Sequence, residues 1–133
     1  MSPKKNLFLA KFGDENAVDS AMDSGDIGRA RAATYNPLFS ADHITKALDS
    51  KDLSTRNLAL HSSHVTPDHI TKALDDENIG VRWSAILHKN ANSDNIDKAI
   101  QDKTATVRNA AVEHPKCSKD QLKTYYKKVY GDN

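Results

Sequence analysis

The chain is poor in the residues that most often announce chemistry. It holds one cysteine, Cys117, in 133 residues, which excludes an internal disulfide framework and points to a reducing compartment. Its five glycines form no phosphate-cradling loop. No apolar run approaches the ~18 residues needed to cross a bilayer. The apolar patch at residues 7–10, after the basic start Met1-Ser2-Pro3-Lys4-Lys5, is shorter than a signal-peptide core of roughly 7–15 residues. Neither sign of charge dominates: 19 Lys plus Arg face 18 Asp plus Glu, a net charge of +1 that gives no global pull toward polyphosphate or an anionic membrane. No Ser-His-Asp or paired-carboxylate arrangement stands out, so neither catalysis nor a cofactor is expected. A hydrophobic fraction of 38% and a charged fraction of 28% suit one soluble domain spanning 1–133. The expected location is the cytoplasm, or the host cytoplasm if the chain is viral, with no membrane contact.

What the chain has in abundance is repetition. At a spacing of 26 residues one column reads Val18, Ile44, Ile70, Ile96 and Leu122, and a second Ala21, Ala47, Ala73 and Ala99. A third is Ala33, Ala59, Ala85 and Ala111. Such self-similarity marks stacked supersecondary units, which offer a long surface and seldom a catalytic pocket. Each unit divides into two short amphipathic helices. In the third, Ile70, Ala73 and Leu74 follow the i, i+3, i+4 spacing of one helix face, and Val81, Ala85 and Ile86 line the second helix. Helices this short gain stability only by packing on neighbours.

Cap residues support the division independently. Asp14, Ser40, Thr66, Asn92 and Ser118 precede the first helices, and Asp26, Asp52, Asn78 and Thr104 the second. Each has a side-chain oxygen able to accept from an unpaired first-turn N–H. Asp42, Asp68 and Asp94 then lie four residues before Lys46, Lys72 and Lys98, a spacing that suits ion pairs on a solvated face. The layout is a capping half-repeat at 4–12, four repeats over 14–117, and a capping helix at 118–130. In that last helix Tyr125 and Tyr126 replace small and aliphatic core residues.

The run Leu74-Asp75-Asp76-Glu77-Asn78-Ile79-Gly80-Val81-Arg82-Trp83-Ser84-Ala85 resembles the centre of a HEAT repeat, and Ile100, Asp102, Val107, Arg108 and Ala111 repeat the match. The short unit is similar to the leucine-rich-repeat variant. The Asn36-Pro37 and His114-Pro115 joints resemble arrays found in bacterial and bacteriophage proteins. The resemblance implies an all-α, right-handed α-solenoid of about ten short helices. It further implies that Asp76, Asp102, Arg56, Arg82 and Arg108 link neighbouring repeats. The front departs from the pattern, with Ser50 for the aspartate and Ala30, flanked by Arg29 and Arg31, for the arginine.

By the same likeness, outward residues of the second helices lie on a concave face. Their columns are Arg31, Asn57, Trp83 and Asn109, and one turn on Tyr35, His61, Leu87 and Glu113. Varied chemistry on a regular frame is what partner binding needs, and Trp83 is the only tryptophan. The expected partner is a protein, of host or virion if the bacteriophage likeness holds. Nucleic-acid binding is the alternative, through a groove of Arg29, Arg31, Arg56, Arg82 and Arg108, and near-neutral charge weighs against it. No metal site is expected: His61 and His64 are three apart without a completing ligand, and the repeat accounts for His43 with His69 and His88 with His114. Cys117 stands in the column of Phe39, Val65 and Ala91, as a small buried hydrophobe.

Overall fold

The structure, a computed structural model, describes residues 2–131; Met1 of the basic start and the last two residues of the 1–133 domain lie outside them. The described residues form ten helices and no strand. These are α1 (Pro3–Phe12), α2 (Glu15–Met22), α3 (Ile27–Thr34), α4 (Ala41–Leu48) and α5 (Leu53–Ala59), then α6 (Pro67–Ala73), α7 (Ile79–Leu87), α8 (Ser93–Ile100), α9 (Ala105–Val112) and α10 (Lys119–Tyr130). They gather into two compact units, one ending at Val65 and the other beginning at Thr66.

Caps set the boundaries. All nine residues expected before a helix occupy its N-cap. Asp14, Asp26, Asp52, Thr66, Asn78, Asn92 and Ser118 accept first-turn N–H bonds through their side chains. Thr104 does not, because its hydroxyl accepts instead from Arg82 Nη2 at 3.0 Å. The third residue of each later first helix returns the favour. His43, His69, Asn95 and Gln121 accept from the cap N–H of Ser40, Thr66, Asn92 and Ser118, each at 2.9 Å.

Within the first unit, α1 packs on α2 and α3, and α3 on α5, around Val18, Ala21, Ala33, Phe39, Ile44 and Ala59. Within the second, α7 packs on α9 and α6 on α8, and α10 closes on α8 and α9. The alanine columns let second helices approach closely, while Ile70, Val81, Ile86, Ile96 and Val107 exclude water between layers. Truncating one of these isoleucines to Ala removes about 2–5 kcal/mol, a large share of the roughly 5–15 kcal/mol that holds a domain folded.

Two expectations need correction. Lys46 and Lys98 turn from the aspartate one helical turn before them: Lys46 Nζ lies 3.5 Å from Asp23, and Lys98 Nζ 2.8 Å from Asp75. Stacking within a unit brings each of these two against the end of the preceding first helix, where these acids stand. Both pairs are exposed and contribute at most about 1 kcal/mol each. Cys117 is half-buried, whereas Phe39, Val65 and Ala91 of its column are buried. Burial, then the nearby Asp97 carboxylate, pushes its thiol pKa up.

Candidate partner-binding surface

Most titratable side chains are committed to the frame. Arg82 is buried and makes four hydrogen bonds. Nη1 donates to the carbonyls of Asp76 at 3.0 Å and Glu77 at 3.2 Å, closing the turn of its own repeat. Nε donates to the Asp102 carboxylate at 3.0 Å and Nη2 to Thr104, both in the next repeat. Arg108 Nη1 donates to the Asp102 carbonyl at 2.8 Å, and Arg56 Nη1 to the carbonyls of Ser50 and Lys51 at 3.1 and 3.3 Å. Where Ala30 takes the arginine position, Arg29 reaches sideways to Ser20 and leaves its buried Nε without a partner among the described residues.

The histidines serve a second set of stitches. His114 Nε2 lies 3.1 Å from the His88 carbonyl while Nδ1 accepts from the Lys116 N–H. Asn36 does the same work two carbons shorter: its amide donates to the Ala10 carbonyl at 3.0 Å, and its oxygen accepts from Leu38. A third set runs between first helices. His43 Nε2 meets Asp19 at 3.1 Å, Asn95 donates to Pro67 and Thr71, and Gln121 donates to Ser93 and Asp97. These partners lie at recurring separations of 24 or 28 residues, so one geometry is reused with different side chains. Among the described residues no group of three His, Cys, Asp or Glu could hold a metal, and no helix is long and apolar enough to cross a membrane.

The residues singled out for binding lie as follows. In the first unit Arg31 is exposed on α3, Tyr35 caps the end of that helix at 70% exposure, and His61 is exposed just past α5. Asn57 faces less outward than expected: it is half-buried, with an enclosed Oδ1 that has no hydrogen-bond partner among the described residues. In the second unit Trp83 is 43% exposed, with Ile79 and Leu87 also exposed one turn to either side. Asn109 is exposed on α9 and accepts from the Tyr125 hydroxyl at 2.9 Å, so the last helix engages part of this face. Glu113 is exposed at the end of α9.

Of these, the structure brings Arg31 and Tyr35 together in one groove of about 370 Å³ between α1 and α3. Leu7, Phe8, Lys11 and Phe12 supply its other wall, and Gly28 and Ala32 lie between. The α1 residues escaped the sequence reading for a physical reason. Phe8 shares its column with Leu60 and Ile86, both buried. Among the described residues α1 has a second helix, α3, on one side only, and Phe8 is 60% exposed. The available signal was the aromatic pair Phe8 and Phe12 at i, i+4 on a helix with no acid.

Two other hollows have the opposite character. One in the first unit, of about 320 Å³, is lined by Asp19, Asp23 and Asp49 beside His43 and Lys46. One in the second unit, of about 390 Å³, is lined by Asp75, Asp76, Glu77 and Asp102 beside Arg82 and Lys98. Both lie where the frame's own ion pairs form. No family model matches this chain, and neither a curated protein nor a solved structure matches it.

Proposed function

We propose that the chain is a non-catalytic scaffold, a right-handed α-solenoid of HEAT-like repeats that binds a protein partner along its second-helix face. The observation that carries this reading is the contrast between columns. Core positions repeat small and aliphatic residues, and ladder positions repeat hydrogen-bonding ones. The exposed second-helix positions instead change from Arg31 and Tyr35 to Trp83 and Leu87. A frame that spends its polar groups on itself leaves these side chains as the ones free to recognise something else. The bacteriophage likeness suggests a host or virion protein, met in the cytoplasm.

The nucleic-acid alternative draws on arginines that the frame already employs. Arg82 is buried, and Arg56 and Arg108 hold turn carbonyls, which leaves few cations for phosphate. Affinity capture with wild-type and Trp83→Ala, Tyr35→Ala protein tests the proposal. At least one partner should be lost or weakened about tenfold in a variant that keeps its helical circular dichroism. Full retention of every partner by both variants refutes it, and salt-sensitive binding to duplex DNA would favour the alternative.

A further inference from the structure

We infer that the groove between α1 and α3 docks an acidic amphipathic segment of a partner protein, its apolar side chains in the groove and its carboxylates on Lys11 and Arg31. The inference rests on the scaffold reading and deepens it by assigning one stretch of the face a partner chemistry.

Three observations converge. The first is apolar exposure: Phe8, Phe12 and Tyr35 are 60%, 63% and 70% exposed, with Leu7 beside them. Apolar side chains exposed side by side, unlike ones scattered singly, mark an interaction surface. The second is charge. Lys11 and Arg31 line the groove and no acid does, whereas the other two large hollows are rich in aspartate. Helix α1 also carries Lys4 and Lys5, without an acidic residue along its length. A bound carboxylate therefore meets uncompensated cations here.

The third observation chooses between anions. Lys11 Nζ stands 5.4 Å from the centroid of Phe12 and 6.0 Å from that of Tyr35, over the rings. A nucleobase would need those faces for stacking. A carboxylate needs only the ammonium, already held beside the apolar floor. The groove is open along its length and sits at the lower end of the ~300–1,000 Å³ of ligand pockets. That shape suits two or three side chains of a segment laid across it better than an enclosed small molecule.

The test uses the full chain and three synthetic probes in fluorescence anisotropy: a peptide with Leu and Phe at helical spacing among Glu residues, its Lys-for-Glu counterpart, and a single-stranded oligodeoxynucleotide. The acidic peptide should bind and the other two should not. Phe8→Ser with Phe12→Ser, and separately Lys11→Glu with Arg31→Glu, should each weaken it about tenfold or more, while Lys103→Ala, at an exposed cation outside the groove lining, leaves it unchanged. Phe8, Phe12 and Arg31 are exposed, so these variants should keep their circular dichroism. No binding of the acidic peptide up to about 1 mM, the weakest affinity that would matter, overturns the inference. So does binding indifferent to both double variants, a preference for the oligonucleotide or basic peptide, or self-association through the groove. In capture experiments, partners lost by Trp83→Ala but kept by Phe8→Ser, Phe12→Ser would refute the groove and leave the scaffold standing.

Discussion

Replacing Arg82 with methionine isolates the clasp between repeats in the second unit. Methionine retains much of the aliphatic stem and removes the guanidinium. The turn loses the donor that Asp76 and Glu77 share, and the Asp102 carboxylate loses its cation. Both partners of the pair are enclosed, Arg82 at 5% and Asp102 at 7% side-chain exposure, so solvent cannot replace what is lost. Breaking a buried pair from one side costs about 3–5 kcal/mol. Asp102 keeps the Thr104 N–H at 2.9 Å, which places the expectation at the lower end, about 3 kcal/mol. Asp102→Asn should cost less, because its amide oxygen preserves that turn bond.

The double variant separates the pair from its surroundings. With Asp102→Asn already present, Arg82→Met no longer strands a buried charge, so the two losses should fall short of additive by at least about 1 kcal/mol. Urea unfolding is the suitable assay, followed by circular dichroism and by Trp83 fluorescence, whose ring is next in sequence to Arg82. Coincident transitions license the free energies. A loss below about 1 kcal/mol for Arg82→Met, or strict additivity in the cycle, would refute the account of the clasp as a buried, mutually dependent pair.

Two further outcomes follow from the stitches and the thiol. His114→Ala should destabilise by about 1–2 kcal/mol in the same assay, and His114→Asn by much less, since Asn36 makes the equivalent pair of bonds in its own repeat. Equal losses for both would show that the ring, and not its hydrogen bonds, matters. The raised Cys117 pKa leaves less thiolate at a given pH, so iodoacetamide near pH 8 should alkylate the folded protein more slowly than the urea-unfolded chain. The difference should shrink as pH rises through the folded pKa, and an equal or faster folded-state rate would contradict it.

The helices were legible because their signals are local. A cap residue and an apolar face are written within a few positions of each other, so period and caps located the starts of α2 to α10. The stitches were not, because each joins residues 20 to 28 apart and uses different side chains for one task. Asn95 and Gln121 look unrelated to the histidine pair His43 and His69 until each is seen accepting from a cap N–H. Lys46 and Lys98 illustrate the converse. Their i, i+4 aspartates offered a plausible partner, and the neighbouring helix offered another that only packing brings near. At the candidate surface Arg31, Tyr35 and Trp83 were readable as outward. Asn109 is exposed, and its bond to Tyr125 depends on where α10 lies.

The net charge of +1 argues less about binding than its distribution does. Acids concentrate in caps and turns, where they accept N–H groups, arginines and lysines of the frame. Helix α1 carries Lys4, Lys5 and Lys11 against no acid, and α10 carries Lys119, Lys123, Lys127 and Lys128 against Asp120 alone. The same two helices break the burial pattern. Tyr126 shares a column with Leu48, Leu74 and Ile100, all buried, yet is 51% exposed and packs against Tyr130 at 5.7 Å, as Phe8 packs against Phe12. Within each compact unit the core columns are covered by neighbouring helices, and in the second unit Arg82, His114 and Gln121 find partners in an adjacent repeat. On α1 and α10 the same columns put aromatic rings on the surface beside lysines. Substitution of these exposed rings and lysines therefore tests binding without removing core side chains.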